Sequence, residues 1–145
     1  MKKVLVLCKG NSCRSQMAEG YLQFYGKGNG LFFSAGLENH GINPYAVQVM
    51  AEDSIDIGGS SSKRVDIFKG EHFDFVINIC EELTNQDFDI VTADKWLHLN
   101  IPDPAAAVGS ETQQIKAFRQ AREAIKMHML KFIGKELTPA EEPAF

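Results

Sequence analysis

The residues able to do chemistry are concentrated in one stretch, Cys8-Lys9-Gly10-Asn11-Ser12-Cys13-Arg14-Ser15. A thiol, five residues and then an arginine make a loop with a nucleophile at its base and a planar cation at its far end. The apolar run Val4-Leu5-Val6-Leu7 precedes the loop, and a helical pattern follows it. A helix N-terminus offers unpaired N–H groups and a positive partial charge, which favour a thiolate and bind an oxyanion. Arg14 can meet two oxygens of such an anion with its fork, as a lysine could not. Gly10 allows the backbone to curl and approach closely. Ser15 stands where its hydroxyl can donate to the Cys8 sulfur. The expected oxyanion cradle is Lys9, Gly10, Asn11, Ser12, Cys13 and Arg14. The expected chemistry is covalent attack by Cys8 on a tetrahedral, phosphate-like anion.

Expelling an oxygen from that anion calls for a proton donor opposite the nucleophile. Asp103 followed by Pro104 is the candidate, although Asp-Pro taken alone is a common turn. Cys80 has two readings. It is either a small buried hydrophobe or a second thiol able to attack an adduct on Cys8. Cys13 reads as packed rather than reactive. Ser34 and Glu19 are candidates for holding the cradle, with a strand-end hydroxyl and a solvated carboxylate as the plain alternatives.

These residues need a scaffold. Strands are expected over residues 3–8, 31–35, 73–79 and 95–99. Helices are expected from Arg14 to about Tyr25, from Pro44 with Asn43 as its cap, briefly over Val65–Phe68, and after Ser110. The core faces are Met17, Ala18, Tyr21, Leu22 and Tyr25 in the first helix and Val47, Met50 and Ala51 in the second. In the last they are Ile115, Phe118, Ala121, Ile125, Met129 and Phe132. Strands alternating with helices predict an α/β fold, a parallel sheet with helices on both faces. Ligands bind such sheets beyond the carboxyl ends of the strands, where Cys8, Gly36, Cys80 and the loop after Leu99 all fall.

The chain's 145 residues suit a single catalytic domain, with a loosely ordered tail from about residue 137. A net charge of −4 argues against nucleic acid or a polybasic membrane patch as partner. The apolar runs are too short to span a bilayer, and the N-terminus lacks the pattern of a secretion signal, so the expected location is cytoplasmic. Three cysteines, Cys8, Cys13 and Cys80, do not make a disulfide framework or a zinc site. His40, His72, His98 and His128 are scattered, and no metal is expected.

Residues 6–20, Val-Leu-Cys-Lys-Gly-Asn-Ser-Cys-Arg-Ser-Gln-Met-Ala-Glu-Gly, resemble the low-molecular-weight protein tyrosine phosphatase superfamily. The stretch Ser34-Ala35-Gly36-Leu37-Glu38-Asn39-His40-Gly41-Ile42-Asn43-Pro44 looks more narrowly like its thioredoxin-coupled arsenate reductase branch. Asp103-Pro104-Ala105 ahead of an amphipathic helix fits as well, and the likeness runs from about residue 3 to 133. It implies a four-stranded parallel sheet with flavodoxin-like winding. It also implies that Cys8 attacks arsenate held by loop amides and Arg14, that Asp103 protonates the leaving oxygen, and that Cys80 then attacks the adduct. No bound cofactor is implied, only an external reductant: thioredoxin, glutaredoxin or a small thiol. The branch carries a further cysteine seven residues beyond the match to Cys80, where this chain has Asp87. Three alternatives follow: direct resolution by a reductant or thiol, substitution by Cys13, or a phosphatase acting through a phospho-cysteine. The family's phosphatases use an aromatic rim, whereas the matching positions here are Leu37, Glu38, Asn39 and Ala105-Ala106-Ala107.

Overall fold

The computed structural model of the chain describes residues 1–137. Strands β1 (Lys2–Cys8), β2 (Gly30–Gly36), β3 (His72–Cys80) and β4 (Thr92–Ile101) form one parallel sheet in the order β2-β1-β3-β4. Val4, Leu5, Val6 and Leu7 are fully buried, because a central parallel strand is covered on both faces. Each such side chain contributes about 1.5–3 kcal/mol. Val4, Val6 and Cys8 point into one apolar cluster, and Leu5 and Leu7 into another.

The first cluster lies under helices α1 (Arg14–Tyr25), α2 (Pro44–Glu52) and α3 (Glu111–Phe132). The second is closed by the single 3-10 turns Val65–Phe68 and Asn85–Phe88, which contribute Val65, Phe68 and Phe88. Asn43 caps α2 by accepting from the Tyr45 N–H at 2.8 Å, with Pro44 in the first position. The buried face of α2 is Ala46, Val49 and Met50; Val47 is half-buried and Ala51 exposed. The expected face is thus out by one position, a turn of about 100° around the axis. In α3, Phe118, Ala121, Ile125, Met129 and Phe132 are buried as the periodicity requires, and Ser110 caps the helix reciprocally with Gln113. Leu137 is buried at the end of a π-helical turn, Ile133–Leu137. The rest of the tail expectation falls on residues outside those described. No described helix is long and apolar enough to cross a membrane.

The chain leaves β1 for β2 on one side, and the connection from β2 then crosses back past β1 to β3 on the other. This order opens a crevice beyond the carboxyl ends of β1 and β3, the switch point where such sheets bind ligands. Cys8 ends β1 and Cys80 ends β3.

Candidate active site

Peptide geometry makes the cradle. Every carbonyl from residue 8 to residue 13 is held from outside the loop. The N–H groups of Leu37, Glu38 and His40 reach the carbonyls of Cys8, Lys9 and Gly10 at 3.2, 2.8 and 3.0 Å. The Asn43 and Met17 N–H groups take those of Ser12 and Cys13 at 2.9 and 2.8 Å, and Gln16 Nε2 takes that of Asn11 at 3.4 Å. In a trans peptide the next N–H points opposite to the carbonyl, so the amides of this stretch beyond that of Lys9 face inward. Gly36 must be glycine for this packing. A Cβ there would lie 2.6 Å from Asn11 N and 2.8 Å from Lys9 O.

Asn11 is the hub of the loop. It is fully buried with φ +47°, a left-handed conformation that asparagine tolerates. Its Nδ2 donates to Ser15 Oγ at 2.8 Å and Ser34 Oγ at 3.0 Å, and its Oδ1 accepts from Gln16 Nε2 and the Lys63 N–H. Ser34 passes its own proton to Glu19 at 2.6 Å. Ser15 Oγ, supplied by Asn11, keeps its proton for Cys8 Sγ, 2.8 Å away. The left-handed turn is therefore at Asn11. The space beside Gly10 is filled instead by the His40 ring, whose Cγ would be 2.8 Å from a Cβ on Gly10.

Cys8 and Cys80 are both buried, and parallel pairing of β1 with β3 brings them together. Burial by itself raises the Cys8 pKa. Hydrogen bonds from Cys80, the Ser15 hydroxyl and the Ser15 N–H, with the charge of Arg14, outweigh burial and leave it below the ordinary thiol value. Cys80 moves the opposite way, first because it donates to Cys8 and then because it is buried. The Lys9 N–H is spent on Cys80 Sγ at 3.2 Å, so this amide of the expected cradle serves the second thiol here. Asn78 Oδ1 accepts from the Cys80 N–H, and His98 Nε2 lies 2.7 Å from the Cys80 carbonyl.

Arg14 is 3% exposed and meets Glu82 end-on, Nη1 to Oε1 at 2.8 Å and Nη2 to Oε2 at 2.9 Å; Nη1 also donates to the Ile101 carbonyl at 2.8 Å. Burial opposes the Arg14 charge, but Glu82 more than restores it, and Arg14 holds the Glu82 carboxyl at about 2. Asp103 caps the 3-10 turn Pro104–Ala106, accepting from the Ala105 N–H at 3.0 Å. Cys13 Sγ is a long donor to Asp103 Oδ1 at 3.8 Å, and burial, Cys8 and Asp103 together push its thiol up to about 12. Cys13 is therefore packed, and it also lines the pocket.

The pocket is about 180 Å³, bounded by Cys8, Lys9, Gly10, Ser12, Cys13, Arg14, His40, Asp103 and Ala105. No phenyl, phenol or indole ring is among them. Two neighbours of the site escaped sequence reasoning. Glu82 sits in a Glu81-Glu82 pair that reads as solvated surface, and His40 had only its place in the family stretch. No signal in a single sequence marks either as part of this site. Asp87, at the position of the branch's further cysteine, caps the 3-10 turn Asn85–Phe88 by accepting from the Thr84 N–H at 2.7 Å.

The model of the family "Low molecular weight phosphotyrosine protein phosphatase" matches residues 3–142. The chain is 36% identical to the "Glutaredoxin arsenate reductase" of Synechocystis sp., over 93% of this chain and 98% of that one. It is 37% identical to the "Arsenate reductase" of Shouchella clausii, over 90% and 94% of the two chains. A solved structure, "An arsenate reductase in the phosphate binding state", superposes with a TM-score of 0.79 at 32% identity, covering 95% of this chain and all of the other.

Proposed function

The chain belongs to the low molecular weight phosphotyrosine protein phosphatase family, and within it we propose that it is an arsenate reductase working through two thiols. One observation carries the reading: a second buried thiol, Cys80, ends the strand paired with the one that ends in the nucleophile Cys8, and its sulfur accepts from the Lys9 N–H, the residue next to Cys8, at 3.2 Å. Hydrolysis of a phosphate ester has no use for it. Identity of 36–37% to proteins named arsenate reductase over at least nine-tenths of the chain supports the same conclusion. So does a pocket edge that holds no phenyl, phenol or indole ring to sandwich an aryl ester.

The geometry supports the following steps. The Cys8 thiolate, stabilised by the Ser15 proton, attacks arsenic while inward amides and Arg14 hold the oxygens. Asp103, across the pocket, delivers a proton to the departing oxygen, which leaves as water. Once the Cys8 sulfur is bonded to arsenic, its negative charge no longer opposes a thiolate at Cys80, and Cys80 can ionise. The Cys80 thiolate then attacks the Cys8 sulfur. The S–S bond forms, the S–As bond breaks, and its electron pair stays on arsenic, which falls from As(V) to As(III). Two thiols are oxidised to one disulfide, so the electrons balance.

With Asp87 in place of a further thiol, an external thiol must reduce the Cys8–Cys80 disulfide where it forms. Thioredoxin, glutaredoxin and small thiols are the candidates, and the name of the Synechocystis relative favours glutaredoxin. Working thiols suit the reducing cytoplasm. The test offers arsenate and p-nitrophenyl phosphate to the protein with each reductant. Arsenite should form in the parent and not in Cys80→Ser. Fast ester hydrolysis with no arsenite under any reductant would establish the phosphatase alternative instead. Arsenite formation that survives Cys80→Ser would remove Cys80 from the mechanism.

A further inference from the structure

A guanidinium has five N–H donors in a fixed plane. In Arg14, Glu82 takes one from each terminal nitrogen, and the Ile101 carbonyl takes the second hydrogen of Nη1. What remains is the Nε–H and the second Nη2–H, side by side along one edge. Nε is buried and has no partner among the described residues. That edge is spaced for two oxygens of one tetrahedral anion, and Arg14 borders the pocket beneath which Cys8 lies.

We infer that Glu82 is a positioning residue: by occupying the end of the Arg14 fork with both carboxylate oxygens, it turns the free Nε/Nη2 edge toward the bound oxyanion. The inference rests on the oxyanion site proposed above and adds the group that aims its arginine. An ordinary surface ion pair does not account for the arrangement. The arginine is 3% exposed, both oxygens engage, and a backbone carbonyl from the neighbouring strand β4 fixes the third hydrogen. Three fixed hydrogens define the plane and rotation of the fork, whereas Ile101 alone would leave it free to swing.

Two effects of removing Glu82 oppose each other. Loss of aim weakens anion binding; loss of a nearby negative charge strengthens it. The sign of the change therefore decides. The experiment measures equilibrium binding of inorganic phosphate by calorimetry for the parent, Glu82→Ala, Glu82→Gln and Glu82→Asp, with thermal unfolding of each. Glu82→Ala should bind phosphate about tenfold more weakly, since a misaimed arginine forfeits its bidentate contact. Glu82→Asp should recover part of the loss, and Glu82→Gln, which keeps one acceptor, should fall between. If Glu82→Ala does not fold, Glu82→Gln decides. In arsenate turnover, KM should rise by more than kcat falls. Binding that is unchanged or tighter in Glu82→Ala, or in Glu82→Gln where it must decide, would overturn the inference, since Glu82 would then be a bystander or a competitor of the anion. Phosphate binding does not depend on reduction. A chain that shows the predicted weakening but makes no arsenite would therefore overturn the reductase reading and leave the role of Glu82 standing.

Discussion

The carboxyl ends of β1 and β3 lie side by side and each carries a buried thiol, yet they are built in opposite ways. After Cys8, every loop carbonyl to residue 13 is anchored, and the buried Asn11 satisfies all four of its side-chain hydrogen-bonding positions. After Cys80, the side chains of Glu81, Glu82 and Thr84 are exposed. That segment is held by Asn78 Nδ2 on the Leu83 carbonyl at 2.8 Å, by the Arg14–Glu82 pair and by the Thr84–Asp87 cap. On the proposed mechanism, the difference follows the work of each end. An oxyanion cradle gains from donors fixed before the anion arrives. A resolving thiol must travel to the sulfur it attacks, and segments with few buried contacts open at least cost.

The sharpest way to break the comparison is to remove each thiol. Cys8→Ser should lower both arsenite formation and ester hydrolysis by at least about 10⁴-fold. Cys80→Ser should abolish arsenite but leave p-nitrophenyl phosphate hydrolysis within about threefold of the parent, because that chemistry never reaches the second end. Equal loss of both activities in the two variants would erase the distinction. Next in size is Asp103→Asn, which should slow the first chemical step about 10²–10⁴-fold in single-turnover measurement, the usual worth of a positioned acid.

Stability reports on how tightly each end is anchored. Asn11→Ala should cost about 2–4 kcal/mol in urea unfolding, since Ser15, Ser34 and the Lys63 N–H would each lose a buried partner. Reactivity comes next. With Cys8 held below the ordinary thiol value and Cys13 and Cys80 above it, iodoacetamide at pH 7 should label Cys8 at least about tenfold faster than either. The Cys8 rate should decline only as pH falls well below the usual thiol range. The smallest effect belongs to the looser end: Asp87→Ala removes an exposed cap and should cost about 1 kcal/mol or less. A loss as large as that of Asn11→Ala would mean that both ends are equally rigid.

Much of the site was legible because its signals are local. The apolar run of β1, the Cys8-to-Ser15 spacing and the helical period from Arg14 lie within one short window, and period reports directly on which face is buried. Asn43-Pro44 and Ser110 marked their helices because caps are short-range chemistry. What was misread or missed depends on partners distant in sequence. Gly36 owes its lack of a side chain to the cradle backbone, the His40 ring packs into the space beside Gly10, and the Lys9 amide is drawn away by Cys80.

The sequence by itself marked the proposed nucleophile, the loop proposed to cradle its substrate and the order of strands and helices that carries them. Tertiary structure decided which thiol lies nearest the Cys8 end of β1 and which carboxylate pairs with Arg14. Sheet order and register put β3 beside β1, and this brings together groups 68 residues apart, as Arg14 and Glu82 are. Residue patterns encode how each strand is buried, but not which strand becomes its neighbour. Only the packed sheet specifies that choice, and the chemistry of the second thiol depends on it.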